Sequence, residues 1–105
     1  MEIEGIMNHH DFRVWVKALP SEYIRSNNMN PAHFKAVCFV LSMYGDYASG
    51  TEIRPSWLTI AKEACVDRKT AMKVRDHLLK IGILIEIAKT PGNISIYQLS
   101  NLDTQ

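Results

Sequence analysis

The sequence predicts a mainly α-helical fold carrying a small β-hairpin, an α+β protein. Three observations carry this expectation. Asn30-Pro31, Pro55-Ser56 and Asp67 each stand ahead of a helically spaced apolar run, as helix-capping residues do. Gly82 closes the last of these runs in the place of a left-handed C-cap. Beyond Gly82 the apolar period drops from helical to two, and Pro91-Gly92-Asn93 divides that stretch into two strands.

Taken in order, residues 1–11 are weakly patterned and read as a flexible N-terminal arm. Phe12 to Ala18 alternates, with Phe12, Val14, Val16 and Ala18 opposite Arg13, Trp15 and Lys17, which predicts a strand. Pro20 breaks it, and Ser21 is placed to cap a short helix reaching Ser26, followed by an Asn27-Asn28 loop. The helix opened by Asn30-Pro31 runs to about Tyr44 and is stopped by Gly45. Phe34, Val37, Cys38, Leu41 and Tyr44 share one face, and Phe39, Val40 and Met43 extend the apolar character around it, which predicts a central, buried helix. Asp46 to Thr51 reads as a polar turn and Glu52-Ile53-Arg54 as a very short strand.

Ser56 caps the next helix, whose apolar side is Leu58, Ile60, Ala61 and Ala64 and whose end is near Cys65. Only about two residues, Val66 and Asp67, then precede a further helix running to Ile81, with Ala71, Val74, Leu78 and Ile81 on its buried side. In the hairpin Ile83, Ile85 and Ile87 alternate against Leu84, Glu86 and Ala88. Lys89 to Asn93 forms the turn, and Ile94 to Leu99 returns with Tyr97 and Leu99 on one face. The folded domain is thus expected over residues 12–99, with a polar tail at 100–105.

At 105 residues the chain has the size of one domain, which excludes a two-domain enzyme. It is 47% hydrophobic and 22% charged, too apolar for a disordered chain, and its net charge of +1 excludes a polycation of the histone type. The longest apolar stretch, Ala36 to Leu41, is too short to span a bilayer, and the acidic Met1-Glu2-Ile3-Glu4 start is no signal peptide. With no secretory signal, Cys38 and Cys65 read as reduced thiols of a cytoplasmic protein.

The distribution of charge is more informative than its total. Asp67 to Lys89 holds six basic residues (Arg68, Lys69, Lys73, Arg75, Lys80 and Lys89) against three acidic ones (Asp67, Asp76 and Glu86). Residues 1–66 hold six basic against seven acidic. The positive charge is therefore concentrated on the last helix and the hairpin. A basic helix reached through a tight turn from the preceding helix has helix-turn-helix spacing, and with the hairpin behind it the element order is that of a winged helix-turn-helix. Such a helix fits the major groove of duplex DNA, its N-terminal dipole attracts phosphate, and the hairpin tip can lie against the backbone.

Four segments also resemble a known family: Arg54-Pro55-Ser56, Ile60-Ala61-Lys62-Glu63, Val66-Asp67-Arg68-Lys69-Thr70-Ala71, and Leu78-Leu79-Lys80-Ile81-Gly82-Ile83-Leu84. Together they resemble the winged helix-turn-helix domains of phage and plasmid replication proteins and are similar to bacterial winged-helix transcription regulators. The resemblance spans most of residues 12–99. It implies sequence-specific binding of double-stranded DNA in a bacterial or phage-infected cell, as a replication-initiation module or a transcription regulator. A homodimer and replication or transcription proteins are further partners it implies. The chain departs from the family at Cys65, where Gly is usual in the turn, at Asp67, which replaces the usual Ser cap, and at Arg75, where an apolar residue is common.

The DNA-contacting residues expected on this basis are Arg54, Ser56, Arg68, Lys69, Thr70, Met72, Lys73, Asp76, Lys89, Thr90 and Asn93. The competing reading is a winged helix used for protein interaction, as an assembly or inhibitory factor, in which the basic helix is a solvated face. The remaining chemistry-bearing residues favour plain structural roles. His9 and His10 lack further ligands at metal spacing, and His33 and His77 are expected on the surface. Trp15 and Trp57 are expected to pack. Cys65 has no accompanying base or oxyanion pattern. With no phosphate-cradling glycine loop and no paired carboxylates, neither an enzyme nor a cofactor, metal or membrane partner is expected.

Overall fold

The computed structural model describes residues 9–44, 52–92 and 94–99. Five helices and three strands follow one another in it: α1 (His9–Ala18), α2 (Ser21–Ser26), α3 (Pro31–Met43), β1 (Glu52–Ile53), α4 (Trp57–Ala64), α5 (Arg68–Ile81), β2 (Leu84–Lys89) and β3 (Ser95–Leu99). The strands form one antiparallel sheet in the order β1-β3-β2. Glu52 pairs with Gln98 and Leu84 with Leu99, so β1 returns across the chain to flank the β2–β3 hairpin. The fold is mainly helical with a small β component, as the sequence predicts.

Three helices start where their caps are written. Asn30 Oδ1 accepts from the His33 amide at 3.1 Å, Ser56 Oγ from Thr59 at 3.3 Å and Asp67 Oδ1 from Thr70 at 2.8 Å. Three helices also end alike, with one residue in the left-handed region: Asn28 (φ 64°), Cys65 (φ 60°) and Gly82 (φ 85°). At each end the following amide reaches back five residues, Met29 to Ile24, Val66 to Ala61 and Ile83 to Leu78, the bonding of a Schellman motif. The side chains of Ile24, Met29, Leu78 and Ile83 are buried, so two of these turns also close over apolar contacts.

The core gathers Phe12 and Val16 of α1, Ile24 of α2 and Phe34, Val37, Cys38 and Leu41 of α3. From the C-terminal half it takes Ile60, Val74, Leu78, Ile83, Leu84, Tyr97 and Leu99. Cys38 and Cys65 are free thiols, the first buried, which pushes its thiol pKa up, and the second exposed.

Several sequence expectations are corrected. The strand expected over Phe12 to Ala18 is helix α1. Its buried residues Phe12 and Val16 lie four apart, with Trp15 and Leu19 packed alongside, whereas Val14 is exposed. Phe12, Val14 and Val16 therefore do not share a face, and α1 is fixed by packing on α3 rather than by strand pairing. Because α1 begins at His9, the expected arm over 1–11 loses its last three residues to the helix; residues 1–8 lie outside the described residues. The polar turn expected over Asp46 to Thr51, the Gly45 stop and the tail at 100–105 lie outside them as well.

Ser21 does not cap α2; the N-cap is Pro20, with no side-chain bond. On α3, Phe39 is 52% exposed, so the helix is not buried all round, and on α4 Leu58, expected inside, is 60% exposed. In β2 the alternation fails: Ile83 and Leu84 are both buried, while Ile85 and Ile87 are exposed, with the β2–β3 register shifting between Glu86 and Ala88. Ile83 precedes the strand, in the turn that closes α5, so the alternation begins at Leu84 and puts Ile85 outward; the bulge beyond Glu86 reorients only the side chains that follow it. His77, expected on the surface, is half-buried.

Candidate nucleic-acid interface

The α4–turn–α5 unit is held by backbone geometry. Three residues, Cys65, Val66 and Asp67, separate the two helices, one more than the spacing predicts. Cys65 turns the chain in the left-handed region and its amide donates to Lys62 at 3.2 Å. Asp67 then caps α5. Hydrogen bonds from the Thr70 hydroxyl and amide, helped by the charges of Lys69 and His33, hold the Asp67 carboxyl below its usual range. The cap is therefore a carboxylate at neutral pH, seated at the positive end of α5.

Helix α5 is sharply two-sided. Ala71, Val74 and Leu78 are buried, while Lys69, Lys73, Asp76 and Lys80 are exposed. Those four recur at i, i+4, i+7 and i+11, which puts them on one outward stripe of the helix. Arg68, in the first turn, is also exposed, and Met72 is half-exposed between the stripe and the core side. Arg75 is half-buried and binds Asp76 through two bonds to Oδ1, at 2.6 and 3.0 Å, so the one acid on the stripe is neutralised locally. Lys73 Nζ donates to the backbone carbonyl of Asn28, in the turn between α2 and α3.

The remaining expected residues divide by role. Thr70 is half-buried and engaged with the Asp67 cap, and Ser56 is exposed but spends its hydroxyl on capping α4. Arg54 is exposed on the segment between β1 and α4. At the hairpin, Lys89 is exposed with Nζ 3.9 Å from Glu86, whose Oε2 also accepts from Ser95 at 3.0 Å. Thr90 is half-buried and closes the turn: its amide donates to the Ile94 carbonyl at 2.9 Å and its Oγ1 accepts from the Ile94 amide at 3.2 Å. Asn93 lies outside the described residues.

The structure thus brings Arg68, Lys69, Lys73 and Asp76 together on α5 and leaves Lys89 on a hairpin whose charge is partly offset by Glu86. Two participants escaped sequence reasoning. Lys80 extends the exposed stripe, which its spacing of eleven residues from Lys69 already encodes. The Asn28 carbonyl joins a cleft of about 170 Å³ beside α5, lined by His33, Thr70 and Lys73 among others, and no local sequence signal announces so distant a neighbour.

Among the described residues no three His, Cys, Asp or Glu side chains are grouped to hold a metal ion. No helix among them is long and apolar enough to cross a membrane. Comparison with protein-family models, with curated proteins and with solved structures finds no match in any of the three.

Proposed function

We propose that the chain is a winged helix-turn-helix domain that binds double-stranded DNA sequence-specifically, with α5 in the major groove and the β2–β3 hairpin as its wing. The observation that carries this reading is the division of α5 into a buried Ala71-Val74-Leu78 face and an exposed Lys69-Lys73-Lys80 stripe, with Arg68 at its N-terminal end. A helix that packs by one side and presents cations on the other can enter a groove without losing its core contacts. The element order and the β1-β3-β2 sheet support the same reading, because they place a hairpin directly after the basic helix. In this role Arg68 and Lys69 reach the groove, Lys80 and Arg54 meet phosphates, and Lys89 meets the backbone beside the wing. The domain serves as a replication-initiation module or as a transcription regulator, two roles that one fold accommodates equally.

Selection of bound sequences from random duplex DNA, followed by a salt titration on the selected site, tests the reading. The expected result is an enriched sequence whose affinity falls steeply with salt through counterion release. No retention on any duplex at low salt overturns it.

One observation favours the second reading, a winged helix for protein interaction. The hairpin exposes Ile85 and Ile87, with Ile94 exposed just before β3, and its tip cation is offset by Glu86. An apolar, nearly neutral hairpin suits a protein surface better than a phosphate backbone. Absence of DNA binding together with Ile85- and Ile87-dependent association is the outcome that selects it.

A further inference from the structure

We propose that the groove between α1 and α3 docks an acidic, amphipathic helical segment of a partner protein, on a face distinct from the proposed DNA-binding stripe of α5. The groove holds about 310 Å³ and its lining is overwhelmingly apolar, with Val16, Ala36 and Phe39 in its floor. Phe39 is 52% exposed, an aromatic side chain left half uncovered in the middle of α3. Around this floor stand three cations, Arg13 and Lys17 from α1 and Lys35 from α3.

The spacing of these groups selects the occupant. Arg13 and Lys17 are four residues apart on α1, and Lys35 and Phe39 are four apart on α3, so each helix offers a pair one helical turn apart. A helical segment laid along the groove presents apolar anchors and flanking carboxylates with the same period. A single-headed anionic amphiphile engages one of the two lysines, Lys17 or Lys35, and leaves the other facing water. Arg13 is fixed in advance: its Nε donates to Ser42 Oγ at 2.8 Å and its guanidinium lies 5.7 Å from the centre of the Phe39 ring. A cation already ordered in this way loses little freedom on binding.

Two other occupants fit less well. A second copy meeting this face symmetrically sets Arg13, Lys17 and Lys35 against their own counterparts, and like charges across an interface oppose association. Duplex DNA answers the cations but leaves the Phe39 floor uncovered. The cationic rim continues into the adjoining cleft between α2 and α3, where Lys35 is joined by Arg25, which lengthens the track available to carboxylates.

The test uses a fluorescent synthetic peptide with leucines at i, i+3, i+4 and i+7 and glutamates between them, titrated against the full chain, and a matched peptide with lysines replacing the glutamates. The acidic peptide is expected to bind saturably, more weakly as salt is added, and the basic one not at all. The double variant Lys17→Glu/Lys35→Glu is expected to lower the acidic peptide's affinity by about tenfold or more, and Phe39→Ser to lower it comparably, each measured at a temperature where the variant is folded. Lys17 is exposed and Lys35 and Phe39 are only partly covered, and circular dichroism verifies that each variant is folded. Equal binding of both peptides, or binding that ignores all three substitutions, overturns the proposal. So does a charge-reversed variant that loses duplex DNA while the parent ignores the peptide, which makes the groove a DNA surface. A parent dimer abolished by Phe39→Ser overturns it in favour of a second copy. Tighter peptide binding by a Glu2→Gln/Glu4→Gln variant overturns it in favour of the chain's own acidic N-terminal segment.

Discussion

The ammonium group of Lys73 is bonded to the backbone carbonyl of Asn28, 45 positions earlier in the chain. Asn28 sits in the left-handed turn that ends α2, so this bond ties the middle of the basic helix to the entry of α3. Lys69, one turn earlier on the same stripe, faces solvent. Two lysines that look equivalent in sequence therefore differ in role. Lys69→Ala is expected to weaken DNA binding and lower the salt slope by about one unit, with an unchanged melting temperature. Lys73→Ala is expected to lower the melting temperature as well, reflecting a loss of stability no larger than one hydrogen bond's contribution of about 0.5–1.5 kcal/mol. Thermal melts beside binding isotherms for both variants check this; identical melts for the two would remove the structural role assigned to Lys73.

Leu78 is fully buried on α5 and Leu41 fully buried on α3. Truncating either to Ala removes apolar contacts and leaves a cavity that the packed helices close only in part, at a cost of about 2–5 kcal/mol. A small domain holds only about 5–15 kcal/mol in all, so urea midpoints are expected to fall sharply for each. A parent-like midpoint for Leu78→Ala would falsify the assignment of the α5 faces, and with it the stripe proposed to face DNA.

The contrast between α1 and α5 shows how much was legible in the sequence. Asn30, Ser56, Asp67 and Gly82 mark helix ends through local hydrogen bonding, and each stands where the structure uses it. The stretch that forms α1 is short and carries two periods at once. Its Phe12, Val14, Val16 and Ala18 satisfy a strand's period by coincidence, while Phe12, Trp15, Val16 and Leu19 satisfy a helix's. Only packing against α3 decides between them. The hairpin misleads for the opposite reason. Ile85 and Ile87 are typical buried-strand residues, yet Leu84 takes the inward position beside Ile85, and β2 from Ile85 onward lies in water, with its register shifting only beyond Glu86. Within the site, the cations of α5 were readable because helical period alone fixes their side. The bond from Lys73 to Asn28 and the pairing of Lys89 with Glu86 were not, since both depend on tertiary placement or strand geometry.

Cys65 occupies a left-handed turn that costs a side-chain-bearing residue roughly 1–2 kcal/mol relative to the right-handed region. Cys65→Gly relieves that strain, and because the thiol is exposed it removes little packing. Part of the gain is offset by the greater freedom of glycine in the unfolded chain. The net expectation is a stabilisation of up to about 1 kcal/mol, read from denaturant melts, with DNA binding retained. A destabilised Cys65→Gly would mean the thiol makes contacts that outweigh the strain.

His77 joins α2 to α5 through Nε2, 3.0 Å from the Tyr23 hydroxyl, and packs edge-on against Tyr23 and Phe34. Burial, and then the charge of Lys80, lower its pKa below the ordinary histidine value of 6.5. A lowered folded pKa means that the unfolded chain takes up the proton first. The contribution of neutral His77 is therefore fully present above pH 6.5 and is lost as pH falls from there through the lower folded value. Melting temperatures followed downward from neutral pH are expected to decline in this window for the parent and to decline less for His77→Gln. Parallel curves for the two proteins would exclude His77 as the group responsible.

Lys89 and Glu86 set what the hairpin can contribute. With Lys89 Nζ 3.9 Å from the Glu86 carboxylate, the tip presents a partly cancelled charge to any phosphate. The carboxylate is itself held by Ser95, so it stays beside Lys89 rather than swinging away. Both side chains are substantially exposed, so the pair adds little to stability and its removal acts on binding instead. Glu86→Gln keeps the bond from Ser95 and removes the negative charge; it is expected to raise affinity for all duplexes alike and steepen the salt dependence. Lys89→Ala is expected to lower affinity equally on a specific and a scrambled duplex, because a phosphate contact positions the domain without reading bases. Opposite changes in the two variants, uniform across sequences, identify the hairpin as a backbone-contacting wing. A loss confined to the specific duplex places its tip in the minor groove, where readout is largely A·T against G·C. No change in either variant, alongside loss of DNA binding by Lys69→Ala, separates the hairpin from the DNA and leaves its exposed isoleucines to a protein partner.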